Sequence, residues 1–335
     1  MRYLYVKNAT IYMGLYGGFD LKKKRIIAVV GPTASGKSAL ALELARRYDG
    51  EIVSCDSMQI YKKMNIGTAK PTEAELLSVR HHMIDVAEPT DNFSCEDYVR
   101  LASAAIDGIC ERGKLPIICG GTGLYLDALL RGGVSAPSID TSEIRAELCA
   151  RAEREGIEKI YSELQAVDPE SASAIHPNNE KRVIRALEIY LATGRTKSEL
   201  DRESRKFESP YESTVAYLTF ANRDILYNRI DRRVDMMVDD GLVEEARYLM
   251  SEGVFEKNRT AAQAIGYKEL FGYLEGRETL DEALEILKRS TRRYAKRQIT
   301  WFSAKDYAIP LEVGDEKSVK SLEDIVKNAK KLFSL

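Results

Sequence analysis

Short, almost wholly apolar runs recur along the first two-thirds of the chain. They are Ile26-Ile27-Ala28-Val29-Val30, Glu51-Ile52-Val53-Ser54-Cys55-Asp56, Leu115-Pro116-Ile117-Ile118-Cys119 and Val215-Ala216-Tyr217-Leu218-Thr219-Phe220. Runs of this length without polar alternation predict strands covered on both faces, the habit of a parallel sheet. Between the first three lie helix-forming stretches at 39–45 and 96–112. The alternation predicts an α/β fold, a parallel sheet flanked by helices. Segments 65–71 and 88–92 read as loops over the strand ends.

The pattern changes at Gly132-Gly133-Val134-Ser135-Ala136-Pro137-Ser138, beyond which only helical spacing is found. Asp140 with Glu143 three residues on predicts a capping box ahead of a helix at 144–154. Gly156 breaks it, 157–167 resumes, and Asp168-Pro169 and His176-Pro177-Asn178-Asn179 break again. From 180 to 193 an apolar stripe of Val183, Ile184, Leu187, Tyr190 and Leu191 ends at Gly194. Residues 138–207 therefore read as an all-helical insertion domain. After the run at 215–220, residues 224–302 are again helical, broken at Gly241, Gly253 and Gly276, with Leu226, Ile230, Val234 and Met237 as a core stripe. The expected organisation is a catalytic core at 25–137 and 208–310 that includes the C-terminal helices. A flexible N-terminal extension at 1–24 precedes it, and a C-terminal tail with a short helix at 311–335 follows.

Composition narrows the picture only a little. With 335 residues, 44% apolar and 30% charged, the chain is an ordinary globular protein. Its net charge of −2 carries no message about nucleic acid. No run approaches the ~18 apolar residues of a membrane span, so no membrane partner is expected. The five cysteines and three histidines show no zinc-ligand spacing. Unpaired core cysteines fit a reducing, cytoplasmic compartment.

Candidate chemistry begins at the end of the first run, where Gly31-Pro32-Thr33-Ala34-Ser35-Gly36-Lys37-Ser38 completes G-x-x-x-x-G-K-[ST]. Between a strand and a helix, such a loop wraps a diphosphate in backbone N–H groups at the positive helix end. Lys37 would neutralise phosphate oxygens, and the Ser38 hydroxyl would ligate Mg²⁺. The second run delivers Asp56 to its carboxyl end, where open parallel sheets seat ligands. The third ends in Gly120-Gly121-Thr122 rather than in the acidic residue by which a nucleotide hydrolase holds its metal. A cradle, one carboxylate and one hydroxyl suit diphosphate as a leaving group with a base to receive a proton. Asp56 alone would equally serve as a helix N-cap.

Two local charge patterns add to this. Arg229 and Arg233 share a helix face, either as solvated surface or as cations for a departing anion. Residues 288–298 carry six basic side chains and no acid, among them Arg292, Arg293 and Arg297. That concentration is a polyanion-sized patch or a merely solvated helix. Lys181, Arg182 and Arg185 add a second patch in the helical module.

Several separated motifs, in order, carry a resemblance to the bacterial tRNA dimethylallyltransferase family. Besides the phosphate loop they are Asp56-Ser57-Met58-Gln59-Ile60-Tyr61, Asn65-Ile66-Gly67-Thr68-Ala69-Lys70-Pro71, His81-His82-Met83-Ile84-Asp85, Gly120-Gly121-Thr122-Gly123-Leu124-Tyr125, His176-Pro177-Asn178, Arg185-Ala186-Leu187-Glu188, Ala264-Ile265-Gly266-Tyr267-Lys268 and Ala295-Lys296-Arg297-Gln298-Ile299-Thr300-Trp301-Phe302. The resemblance covers residues 26–305. It implies a P-loop kinase-like core with a helical insertion, Mg²⁺, dimethylallyl diphosphate, and a monomer that binds the tRNA anticodon stem-loop. The implied reaction is prenylation at N6 of the adenine 3′ to the anticodon, in tRNAs reading codons that begin with U. It also implies Asp56 as general base with Thr122 as its partner, and Lys37, Ser38 and Arg233 on the diphosphate and metal. The tRNA-contacting positions it implies are Asp56, Ser57, Met58, Gln59, Thr122 and Arg145, then Lys181, Arg182, Val183, Ile184 and Arg185. Gln263, Ala264, Ile265, Gly266, Tyr267 and Lys268 complete them. Ser38 stands where the family usually has Thr, a change that keeps the hydroxyl. The competing readings are a free-nucleotide prenyltransferase, a P-loop small-molecule kinase and a non-catalytic RNA-binding module.

Overall fold

A computed structural model describes residues 23–131, 141–204, 208–315 and 318–335. The sheet has six parallel strands in the order β3-β2-β4-β1-β5-β6. These are β1 (Lys24–Val30), β2 (Gly50–Cys55), β3 (His81–His82), β4 (Leu115–Gly120), β5 (Tyr211–Phe220) and β6 (Ala308–Gly314). Ile26 to Val30 are fully buried because β1 lies at the centre with both faces covered. Ile27 and Val29 pack on one face with α1 (Lys37–Arg47) and the C-terminal helix (Leu322–Phe333). Ile26, Ala28 and Val30 pack on the other, which α3 (Cys95–Glu111) and α4 (Gly123–Leu130) cover, while α2 (Glu73–Ser78) lies beside α1, its Ser78 hydroxyl accepting from Arg46 at 2.9 Å.

The helical module has its own small core of Leu148, Ile160, Leu164, Ala172, Val183 and Leu187. It comprises α5 (Ser142–Glu155), α6 (Ile157–Val167), α7 (Pro169–Ala174), α8 (Glu180–Thr193) and α9 (Lys197–Ser204). Gly194 ends α8 in the left-handed conformation the sequence pattern called for. At its start α5 has Thr141 in the N-cap position, its side chain making no capping bond to the helix and donating instead to Glu188. Asp140, the expected cap, lies outside the described residues, as do residues 1–22 of the expected extension and most of the first module boundary.

After β5 the chain continues through α10 (Arg223–Asp239), α11 (Leu242–Ser251), α12 (Val254–Lys257), two 3₁₀ turns and α13 (Phe271–Leu274). The 24-residue α14 (Leu280–Ser303) then crosses the site, and α15 (Leu322–Phe333) closes the chain. The C-terminal segment is more than the tail expected from sequence: β6 completes the sheet beside β5, and α15 packs on α1. No described helix is long and apolar enough to cross a membrane.

Candidate active site

The 31–38 loop leaves β1 at the carboxyl edge of the sheet. Gly31 presses against β5: a Cβ there would lie 3.2 Å from the Leu218 side chain. Gly36, at φ +93°, turns the chain into α1. Two outside residues hold the loop. Arg229 Nε donates to the Ala34 carbonyl at 2.8 Å, and the Thr33 N–H donates to Gln298 Oε1 at 2.9 Å. The Lys37 ammonium folds back onto the Pro32 carbonyl at 3.2 Å.

Across the sheet edge, Asp56 follows β2 directly. One of its oxygens accepts the Met58 N–H at 2.9 Å, so it caps a tight turn rather than a helix and keeps its second oxygen for other work. Thr122 ties this turn to the end of β4. Its N–H donates to the Cys55 carbonyl at 3.1 Å, and its Oγ1 accepts the Ser57 N–H at 3.0 Å. Tyr294 of α14 reaches the same place; burial, aided by the nearby Asp56 charge, pushes its phenol up and keeps it neutral.

Three cavities run through these residues, of about 510, 80 and 760 Å³. Arg233 and Ala69 line all three, and Asp56 lines the inner two, so they form one passage. Its outer end is cationic, with Lys37, Arg229, Arg232 and Arg233 beside Ser38. Burial pulls the Lys37 ammonium and the Arg233 guanidinium down, and neither has an ion pair among the described residues. The adjacent Asp56 charge only partly offsets this. An anion entering here would relieve that cost. At the inner end are Asp56 and apolar walls from Met58, Ile184, Ile230, Val234, Met237 and Leu287. Part of the stripe read as core on α10 thus faces a cavity large enough for a purine ring.

Most of the anticipated contact positions converge on this inner cavity. Arg145, Lys181, Ile184, Gln263, Ala264, Ile265, Gly266 and Lys268 all line it, with Asp56, Ser57, Met58 and Arg297. Several behave otherwise. Val183 is fully buried in the module core, and Tyr267 is fully buried with its hydroxyl donating to Glu245 at 2.7 Å. Gln59 uses its amide to hold the 68–69 backbone, at 3.3 and 3.0 Å. Arg292 is paired with Asp231 at 2.5 Å, turned toward α10 rather than outward. Arg145 and Arg185 both bind the buried Glu188; burial works to raise that carboxyl, but the Arg145 and Thr141 hydrogen bonds and the Arg185 charge hold it low.

The sequence reading gave no role to Glu245, and Gln298 entered it only within the 295–302 motif. Glu245 accepts the N–H groups of Asn65, Ile66 and Gly67 at 2.9–3.0 Å, fixing the loop that walls the passage. Nothing local in the sequence marks it. Tyr294 and Gln298 did carry a signal, lying four apart within the basic run and therefore on its inward face. At Gly67 a Cβ would come within 2.5 Å of the Tyr267 ring. Gly67→Ala is expected to lower unfolding free energy by about 1–3 kcal/mol in a denaturant titration, the usual cost of overpacking.

A shallow groove opens beyond Arg297, between the module and α14, lined by Arg182, Arg293, Lys296, Trp301 and Lys305. Arg182, Arg293 and Lys296 are exposed and have no ion pair among the described residues. Arg297 lines both the groove and the inner cavity, so the two adjoin at this residue.

The fold and the site define an α/β protein whose G-x-x-x-x-G-K-[ST] loop, at the carboxyl edge of a parallel sheet, stands beside a carboxylate and a purine-sized cavity. The family model described as IPP transferase matches residues 59–305, and the chain belongs to that family. The tRNA dimethylallyltransferase of Caldanaerobacter subterraneus subsp. tengcongensis is 46% identical over 301 residues, 90% of this chain and 95% of the relative. That of Halalkalibacterium halodurans is 45% identical over 303 residues, 90% and 96% of the two chains. Among solved structures, the full-length tRNA isopentenylpyrophosphate transferase of Bacillus halodurans superposes with a TM-score of 0.66 at 42% identity, covering 93% of this chain and 97% of that one. A eukaryotic dimethylallyltransferase acting on tRNA gives a TM-score of 0.71 at 30% identity, covering 86% and 74%.

Proposed function

We propose that the chain transfers the dimethylallyl group of dimethylallyl diphosphate to N6 of the adenine 3′ to the anticodon, in tRNAs reading codons that begin with U. The products are N6-(dimethylallyl)adenosine and diphosphate. The observation that carries this reading is the single passage, cationic at the phosphate loop and apolar beside Asp56, with Arg233 along its whole length. The reading places the enzyme in the cytoplasm with its tRNA. It takes the enzyme as a monomer, since one chain supplies every residue of the site.

The chemistry follows from the substrates. The exocyclic amine of adenine is a weak nucleophile because its lone pair is delocalised into the ring. It needs an electrophile that ionises readily, and an allylic diphosphate supplies one. As the C–O bond breaks, negative charge gathers on the diphosphate beside the loop, Lys37 and Arg233, and the Lys37 ammonium would exchange the Pro32 carbonyl for that anion. The C–N bond forms on the Asp56 side, and the free carboxylate oxygen takes the amine proton. Thr122 fixes the turn that holds Asp56. The Ser38 hydroxyl, exposed at the start of α1 beside Lys37, is a hard oxygen donor of the kind Mg²⁺ accepts. No carboxylate cluster able to hold the ion alone is found among the described residues, so Ser38 would share it with the diphosphate. Bound there, Mg²⁺ would supply further charge neutralisation to the leaving group.

To reach the inner cavity the adenine leaves the anticodon-loop stack, at a cost of a few kcal/mol. Backbone contacts along the Arg182–Arg293–Lys296 groove offset it. Replacing those three residues by Ala is expected to reduce the slope of log affinity against log salt by about 0.7–1 for each residue. Filter binding of the stem-loop across a salt series measures this; an unchanged slope would return the groove to ordinary solvated surface.

A further inference from the structure

Gln298 sits on the inward face of α14, only 5% exposed, in the wall of the small cavity between the phosphate loop and Asp56. Its Oε1 accepts the Thr33 N–H at 2.9 Å, and its Nε2 donates to the Gly121 carbonyl at 3.0 Å. Those two backbone groups belong to neighbouring strand ends. The β1–β4 ladder runs to Val30 opposite Gly120 and then stops, because the two chains diverge into the loop and into the Thr122 turn. Just beyond that point the Gln298 amide bridges them. It faces a donor on one side and an acceptor on the other, which a neutral amide satisfies and a carboxylate or thioether does not. Asn would fall one methylene short. The seat is tight as well, since a Cβ on Gly121 would lie 2.1 Å from Nε2.

We propose that Gln298 is a positioning residue for the transfer step. It fixes the spacing between the diphosphate cradle and the turn that carries Thr122 and braces Asp56. The proposal rests on the prenyl-transfer reading above. Leaving group and acceptor must lie nearly in line across this seam, and a misplacement of about 1 Å costs up to ~10²-fold in rate. The RNA-facing Arg293 and Lys296 lie on the opposite face of the same helix, so loss of the amide leaves tRNA docking untouched.

The test measures kcat with both substrates saturating, stem-loop affinity and melting temperature for the wild type, Gln298→Met and Gln298→Glu. Gln298→Met keeps the volume but removes both hydrogen bonds. It is expected to lower kcat about 10–100-fold while stem-loop affinity stays within about twofold, the signature of lost alignment rather than lost binding. In Gln298→Glu the charged form repels the Gly121 carbonyl. The protonated form restores both contacts, O–H to Gly121 and C=O to Thr33. Its rate relative to wild type is therefore expected to rise as pH falls from about 8 to about 6, because burial raises a carboxyl. A Gln298→Met kcat within about threefold of wild type would overturn the proposal, as it leaves no alignment to explain. So would a pH-independent Gln298→Glu ratio, or a loss of rate matched by equal losses of stem-loop affinity and melting temperature. A wild type that binds both substrates and transfers nothing would instead remove the functional reading itself.

Discussion

Asp56→Ala is expected to keep dimethylallyl diphosphate and tRNA binding within a fewfold of wild type while losing prenyl transfer by at least ~10²-fold, the usual size of a general-base effect. The expectation comes from position. Among the described residues Asp56 is the carboxylate that lines both inner cavities, and its partner Met58 N–H occupies one oxygen only. Its removal leaves the loop contacts of Arg229, Gln298 and Lys37 in place, so the cradle survives. Single-turnover transfer with preformed ternary complex separates the proton-transfer role from binding. A near-normal single-turnover rate would end the assignment of Asp56 as base.

The second large effect concerns the leaving group. Lys37→Ala and Arg233→Ala are each expected to lower kcat by about 10²–10³-fold, the range seen when one preorganised donor to a developing anion is removed. Both cations are held at a desolvation cost in the free protein, and that cost is recovered when the diphosphate carries its full charge. The loss therefore falls mainly on kcat rather than on KM. Steady-state kinetics with varied dimethylallyl diphosphate reads the split; a pure KM effect would make these residues ground-state binders.

The phosphate loop and the three central strands were legible because each signal is local. A complete motif sits between a five-residue apolar run and a helix former, and the structure puts β1 and α1 on either side of it. The Gly194 stop of α8 was legible for the same reason. β6 was not. It lies at the sheet edge, so on the 309–311–313 face only Leu311 and Val313 are buried while Ile309 is exposed, Glu312 on the other face is exposed too, and Pro310 argues against a strand unless it is an edge one. Arg292 shows a different limit. Its place in the basic run suggested an outward cation, yet Asp231 lies 61 positions away and only the packing of α14 on α10 brings them together. Glu245 is the same case at longer range, 178 to 180 positions from the loop it organises. The module helix α8 gave its buried stripe plainly, but not that Ile184, itself part of the module core, would also line the cavity while Val183 would not. Contacts across modules leave no periodic trace in the chain.

The account stands or falls on what receives the five-carbon group. The most direct measurement incubates the chain with Mg²⁺, labelled dimethylallyl diphosphate and either an anticodon stem-loop or AMP, followed by mass analysis of each acceptor. The passage and its basic groove predict that the adenine 3′ to the anticodon gains a C5H8 unit, that AMP gains none, and that ATP added to the reaction is not consumed. Label on AMP with the stem-loop untouched, or ATP turnover coupled to tRNA with no mass gain on adenine, would contradict it.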